Sequence, residues 1–316
     1  MNQPLVSVII PNYNHAKYLD ERIQSVLNQT YKNFEVIILD DVSKDNSREI
    51  IEKYRNNKHI SHIIFNEINS GSTFKQWDKG LSLAKGDLIW IAESDDSCEN
   101  MLLEKLVAEF QKDRQLVLAF CNSMIIDENG NRKTIIQNKK WRKDVRVSGA
   151  EFIHDYLYID NIIYNASSAI FSKNAVTKID RQYTNYKGSG DWLFWIELCQ
   201  QGNIAMIKEP LNYFRKHFGN VTTKMESNGV QQLENKRIFD YLINNKLISN
   251  QSAASHKRRN IYQYKYCIHF QNDNIKANVI RAWEPSLADM IYAYLYRLYI
   301  LNRHLCRIFI GRNNNK

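Results

Sequence analysis

The sequence predicts an α/β protein: a mostly parallel sheet flanked by helices, followed by a helical C-terminal extension. Three observations carry this. Residues 1 to about 95 alternate short apolar strands with amphipathic helices, polar and acidic residues follow each strand, and from about residue 228 the pattern becomes helical throughout. Strands alternating with helices imply parallel pairing through right-handed crossovers.

Taken in order, Leu5 to Ile10 is an apolar run bounded by Pro11, the pattern of a buried strand, and Ala16 to Gln29 has the spacing of an amphipathic helix. Phe34 to Leu39, Ile60 to Phe65 and Asp87 to Ala92 then read as strands, with helices over Asp45 to Tyr54 and Ser72 to Ala84 between them. Beyond Asn100 the alternation loosens: a helix over Met101 to Lys112, a strand over Leu116 to Ile126, a polar hairpin at Asp127-Glu128-Asn129-Gly130, and mixed segments to about residue 218. Helices are expected over 228–245, 251–270 and 285–310, so residues 1–225 form one domain and 226–316 a helical region.

Hydrophobic residues make up 44% and charged residues 24%, a balance that excludes wholesale disorder. Five cysteines are scattered without a CxxC pair, which predicts neither a zinc cluster nor a disulfide framework and fits a reducing compartment. No basic leader or small-residue cleavage site precedes the first strand, so a cytoplasmic protein is expected. The net charge of +9 is concentrated in the last quarter, from His256-Lys257-Arg258-Arg259 to Arg312. No nucleic-acid recognition motif accompanies it, so no nucleic-acid partner is expected.

In an open parallel sheet, ligands sit beyond the carboxyl ends of the strands. Those positions hold Pro11-Asn12-Tyr13-Asn14, Asp40-Asp41, Asn66 to Gly71 and Glu93-Ser94-Asp95-Asp96, so carboxylates, amides and one aromatic share a rim. Dinucleotide and P-loop sites need glycines in the first strand-to-helix turn, and here no glycine precedes Gly71. Adjacent carboxylates repel phosphate unless a divalent cation lies between them, so the rim predicts Mg2+ or Mn2+ together with a diphosphate. Helix capping is the competing account of Asp95-Asp96 and of Asp40-Asp41.

At these residues the sequence resembles the inverting glycosyltransferase family 2. VSVIIPNYNHAKYLDERIQSVLNQTYKNFEVIILDD, the spacing to NSG, and AKGDLIWIAESDD match that family's nucleotide-binding half over about residues 5 to 100. The resemblance implies the GT-A fold, a Rossmann-like sheet with residues 1–100 as the nucleotide-sugar half and 101–225 as the acceptor half. It implies that Pro11 and Tyr13 frame the base, that Asp41, beside Asp40, bonds its edge, and that Asp95 and Asp96 bind ribose and metal. The donor would be a nucleoside-diphosphate sugar, UDP-linked first, with dTDP- and GDP-sugars as alternatives. Glu93 stands where the family usually has Asp, which keeps the charge and lengthens its reach.

Lys187-Gly188-Ser189-Gly190-Asp191 delivers Asp191 to the start of a helix expected over 192–201, the place for a base that deprotonates an acceptor hydroxyl. An N-cap aspartate backed by core aromatics is the alternative. Tyr213-Phe214-Arg215-Lys216-His217 resembles the family's segment closing over the diphosphate, with Arg215 facing phosphate and His217 completing the metal's shell; a solvated basic turn is the alternative. His15, His59, His62 and His154 are expected to be structural or surface residues.

Between Leu287 and Ile310 apolar residues recur with helical period, broken by Asp289, Arg297 and Asn302-Arg303-His304. Such a helix lies in an anionic membrane interface, packs on the catalytic domain or makes a homo-oligomer. The resemblance implies a glycan or lipid-diphosphate-linked acceptor at the inner face of the cytoplasmic membrane, in O-antigen- or capsule-like surface polysaccharide biosynthesis. The enzyme would be peripherally associated there and transfer a hexosyl or deoxyhexosyl unit. A non-catalytic sugar-nucleotide- or glycan-binding subunit is the other function class, with Glu93 as a sign of decay.

Overall fold

The computed structural model describes residues 3–136, 143–217 and 225–313, with only the backbone path for 301–313. The chain divides into two compact units, residues 1–220 and 221–316.

In the first unit, β1 (Val6–Asn12), β2 (Phe34–Asp40), β3 (Ile60–Phe65) and β4 (Leu88–Ile91) alternate with α1 (Ala16–Leu27), α2 (Ser47–Glu52) and α3 (Thr73–Leu83). All seven residues of β1 are buried, as a near-continuous apolar run requires when both faces of a strand are covered. Val6, Val8 and Ile10 pack with Leu19, Ile23 and Val26 of α1 and with Leu102, Leu106 and Val107 of α4 (Leu102–Lys112). Ile9 faces α3, where a side chain at Gly80 would lie 2.4 Å from Ile9 Cγ2. That approach requires glycine.

The sheet continues through β5 (Ser97–Cys98), β6 (Leu116–Ile126), β7 (Arg132–Ile136), β8 (Val145–Ser148), β9 (Ala169–Ser172) and β10 (Asn203–Arg215). Its order is β3-β2-β1-β4-β9-β6-β10-β5, with β7 on β6 and β8 on β10. Pairing is parallel across β3-β2-β1-β4 and again between β6 and β10; β9 joins the two blocks antiparallel to both. The sheet is therefore more mixed than the sequence alone indicates. From β1 the chain moves outward to β2 and β3, then returns across β1 to β4. That reversal opens a crevice at the carboxyl ends of β1 and β4.

The thirteen-residue β10 is hidden in the sequence by Lys208-Glu209-Pro210, where its register against β6 shifts because proline cannot donate to the ladder. α5 (Gly190–Cys199) is buried at every position but Asp191. Trp77, Phe171, Tyr183, Phe194 and Trp195 form an edge-to-face and tilted aromatic cluster that seats it against α3.

The second unit contains α6 (Val230–Asn244), α7 (Asn250–Tyr266), α8 (Asp273–Ala282) and α9 (Leu287–Asn313). The helix expected over 251–270 stops at Tyr266, and α8 starts where the Asn272 side chain accepts from Ile275 N at 2.9 Å. Phe239, Ile261, Tyr264, Val279, Trp283 and Ala293 make its core. His256 stacks on Phe239, its basicity pushed down to about 3 by burial and by the nearby charge of Arg259. Beyond Ala293, every α9 residue to Ile300 is exposed. Among the described residues, no helix is long and apolar enough to cross a membrane.

Candidate functional site

The parallel register places Asn12 beside Asp40 at the ends of β1 and β2. Asn12 Nδ2 donates to Asp40 Oδ2 at 2.8 Å, and Ser43 N donates to Asp40 Oδ1 at 3.0 Å. Asp41 Oδ1 accepts from Asn66 Nδ2 at 2.7 Å and Gln76 Nε2 at 3.0 Å, while Oδ2 accepts from Ser70 Oγ at 2.7 Å. Both carboxylates are buried and brace the loops after β2 and β3. Pro11 is buried within β1, and Tyr13 is 46% exposed. Asn14 (φ 58°) and Val42 (φ 66°) flank this wall in the left-handed region, a strained conformation for a β-branched residue.

After β4 the acidic segment runs into β5, which pairs antiparallel with Asn212 and Tyr213 of β10. That pairing brings the end of β10 onto the carboxylates. Arg215 N donates to Asp96 Oδ1 at 3.0 Å, Arg215 Nε donates to the Asp95 carbonyl at 2.7 Å, and His217 Nε2 lies 3.1 Å from Asp95 Oδ2. His15, at the foot of α1, has Nδ1 2.8 Å from Ser94 Oγ. Ligand atoms of His15, Asp95 and His217 lie within 4.8 Å of one another. Burial raises the Asp95 carboxyl, but the His217 hydrogen bond and the charges of His15 and His217 outweigh it and bring it below the ordinary value. Burial lowers the basicity of His15.

Two expected residues have other surroundings. Asp96, expected on the metal, is wholly buried: Oδ2 accepts from Asn165 Nδ2 at 2.8 Å and Ser167 Oγ at 2.7 Å, and Arg22 Nη2 lies 3.9 Å away. Burial and the neighbouring Asp95 charge push it up to about 6. Arg215, expected on phosphate, is 1% exposed, paired with Glu21 at 2.6 Å and set 4.8 Å over the Tyr18 ring. Both residues hold Asp95 and the end of β10 together. Glu93 uses its extra methylene to reach α3, where Oε1 accepts from Trp77 Nε1 at 2.8 Å; burial and Asp95 push its carboxyl up to about 8.

Asp191 lies in the first turn of α5, one residue inside the helix rather than before it. A side chain at Gly190 would lie 2.6 Å from Phe74 and 2.7 Å from the Tyr183 carbonyl, so only glycine lets this turn pack so closely. Asp191 Oδ1 accepts from Trp192 N at 2.8 Å, and Oδ2 accepts from Asn161 Nδ2 at 2.7 Å. Asn161 belongs to the segment whose Asn165 and Ser167 hold Asp96, so one stretch of backbone ties Asp191 to the acidic segment.

The model of the family described as "Glycosyl transferase family 2" matches residues 7–178, spanning β1 to β9 and every carboxylate of the rim. The chain belongs to glycosyl transferase family 2. It is a glycosyltransferase with the GT-A fold. It is 26% identical, over 85% of its length and 91% of the relative's, to the "Putative teichuronic acid biosynthesis glycosyltransferase TuaG" of Bacillus subtilis. Among solved structures, S. aureus TarS 1-349 in complex with UDP-GlcNAc superposes with a TM-score of 0.66 at 20% identity, over 88% of this chain and 80% of that one. A mannosyltransferase from Pyrobaculum calidifontis in complex with GDP-Man and Mn2+ superposes with a TM-score of 0.57 at 14% identity, over 95% and 81%. At these identities the two structures speak for the shared fold.

For this family 2 chain, sequence reasoning set His15 aside, and the structure brings it beside Asp95 and His217. Its position in the turn after β1, on the same rim as the carboxylates, was the available signal. Asn161, Asn165, Ser167 and Trp77, which fix Asp191, Asp96 and Glu93, carry no motif that could have marked them.

Proposed function

We propose that this glycosyltransferase moves a sugar, with inversion, from a nucleoside-diphosphate sugar to a hydroxyl of a growing surface glycan. The observation that carries the reading is Asp95 at the crevice between β1 and β4, set among His217 and His15. Asp191 is tied to the same acidic segment through residues 161–167. Tyr13, with Pro11 behind it and walls braced by Asp40 and Asp41, frames the nucleotide. UDP comes first among the donors, with GDP- and dTDP-sugars following, because the similar folds include complexes with UDP-GlcNAc and GDP-Man.

Asp95, His217 and His15 would hold a divalent cation. Two imidazoles and a carboxylate suit a transition metal better than Mg2+, which prefers oxygen, so Mn2+ is the favoured ion. The Ser94 contact at His15 Nδ1 leaves Nε2 as the ligand nitrogen and orients the ring. When bound, the cation offsets the charge developing on the departing diphosphate.

Asp191 accepts the proton of the acceptor hydroxyl as its oxygen bonds the anomeric carbon and the bond from that carbon to the diphosphate breaks. Asn161 and the Trp192 amide hold the plane of the Asp191 carboxylate. The exposed Leu287, Ile291, Leu295 and Tyr299 of α9, with Arg297 on the same helix, support a peripheral site on the inner face of the cytoplasmic membrane and a lipid-linked acceptor. The same face also suits a homo-oligomer. The relative named for teichuronic acid biosynthesis supports a cell-surface polymer as product.

The test is a panel of UDP-, GDP- and dTDP-sugars incubated with the full chain and Mn2+. Release of nucleoside diphosphate that EDTA stops is expected, and Asp191→Asn should keep donor binding while losing transfer. No turnover across the panel, or turnover undiminished by EDTA, defeats the proposal.

A further inference from the structure

His15, Tyr18 and His217 form a closed triangle of rings. The Tyr18 and His217 centroids are 5.3 Å apart, those of His15 and His217 5.7 Å, and those of His15 and Tyr18 6.4 Å. The two imidazoles carry ligand atoms that converge with Asp95, and the phenol ring, 8% exposed, backs them both. Tyr18 lies in the first turn of α1, with Glu21 and Arg22 following it on the same helix face. That face meets the other elements of the site: Glu21 pairs with Arg215 at 2.6 Å, and Arg22 Nε donates to the Glu93 carbonyl at 2.9 Å. The Tyr18 ring is itself held. Its backbone N donates to the His15 carbonyl at 2.9 Å, and the Arg215 guanidinium lies 4.8 Å over the ring. Arg215 is pinned in turn to the carbonyls of Asp95 at 2.7 Å and Asp127 at 3.2 Å.

We infer that Tyr18 is a positioning residue for the divalent cation, its ring setting the rotation of both imidazoles so that their ligand nitrogens converge with the Asp95 carboxylate. The inference rests on the proposed cation set of Asp95, His15 and His217 and deepens it by naming what orients that set. A histidine side chain turns about two torsions, and a turn of either ring would carry its nitrogen away from Asp95. A contact at the other ring nitrogen commonly prevents this, as Ser94 does for His15. Tyr18 acts on both rings at once, because all three separations fall within the roughly 4.5–7 Å over which aromatic pairs attract. It adds no ligand atom of its own. Its loss should therefore weaken the cation while the nucleotide wall, braced through Asp40 and Asp41, keeps its bonds.

The experiment titrates the full chain with Mn2+ alone, following loss of the free-ion EPR signal, beside thermal melts and UDP binding in EDTA. Tyr18→Leu and Tyr18→Met both remove the ring and keep much of its volume. Each should raise the Mn2+ dissociation constant by about tenfold, the lower end of what losing an orienting contact costs a metal site. Tyr18→Phe, which keeps the ring, should stay within about twofold of the unaltered chain, with UDP binding in EDTA unchanged throughout. A packing role alone would lower the melting temperature of the ringless variants and leave Mn2+ binding in place. Mn2+ binding unchanged in a folded Tyr18→Leu or Tyr18→Met, or weakened as much by Tyr18→Phe, overturns the inference while the cation set stands. An unaltered chain that takes up no Mn2+ removes the cation set itself, and the role of Tyr18 with it.

Discussion

Asn161 offers the sharpest separation of catalysis from stability. Its Nδ2 donates to Asp191 Oδ2 at 2.7 Å, a bond to a carboxylate, whereas its own buried Oδ1 has no hydrogen-bond partner among the described residues. Asn161→Ala therefore removes one charge-assisted bond, about 1.5–3 kcal/mol, together with one unsatisfied acceptor whose burial costs about 1–3 kcal/mol. The two nearly cancel in the folded state, so the melting temperature should move by no more than about 3 °C. They do not cancel in the reaction. Without Asn161, the Asp191 carboxylate loses one of the bonds that fix its plane, and kcat should fall by about tenfold to a hundredfold with the donor KM unchanged. The assay is nucleoside diphosphate release at saturating acceptor, run beside thermal melts. A kcat within about twofold of the unaltered chain, with the fold intact, refutes the idea that Asn161 positions Asp191.

Burial and hydrogen bonding elsewhere around the site set three further outcomes. Glu197, 4% exposed on α5, has Oε2 buried without a partner, and burial with the Asp180 charge pushes its carboxyl up to about 7 from 4.5. Because the folded value is raised, its contribution is fully present below about pH 4.5 and is lost as pH rises through about 7. The loss is about 2 kcal/mol between about pH 5 and 8, and Glu197→Gln should flatten it in urea unfolding measured across that range; parallel pH slopes would contradict this. Asp96→Ala strips partners from Arg22, Asn165, Ser167 and Arg215 N at once and should cost about 3–5 kcal/mol, read as a drop in urea midpoint; a loss under about 1 kcal/mol would show that the interior tolerates the unpaired guanidinium. His15→Ala and His217→Ala should each raise the Mn2+ concentration for half-maximal turnover by about tenfold or more, with UDP binding in EDTA unaffected; an unchanged Mn2+ requirement for His15→Ala removes that residue from the metal set.

Much of the fold was legible because its signals are local. The buried runs of β1, β2 and β4 and the amphipathic spacing of α1, α3 and α4 each lie within a dozen residues of chain. β10 was not legible, because its pattern is interrupted at Pro210 and its pairing with β6 spans about ninety residues. α8 falls between the helices expected over 251–270 and 285–310 and was not foreseen. At the site, the positions of Asp40, Asp41 and Glu93 to Asp96 followed from their place after strands. Their orientation did not: Asp95 and Asp96 are adjacent in sequence, yet one meets two histidines and the other points into the core.

By itself, the sequence determined that carboxylates gather at one rim of a wound sheet, that no glycine-rich phosphate loop is present, and that Asp191 begins a helix. Only the tertiary structure decided which of those carboxylates face outward. The reason is physical. Strand order and register are set by long-range pairing, and the pairing of β5 with β10 carries Arg215 and His217 onto Asp95-Asp96 from more than a hundred residues away. That pairing sets Arg215 N on Asp96, which Asn165 and Ser167 also hold, while the neighbouring Asp95 lies beside His15, a residue whose role no local pattern contains.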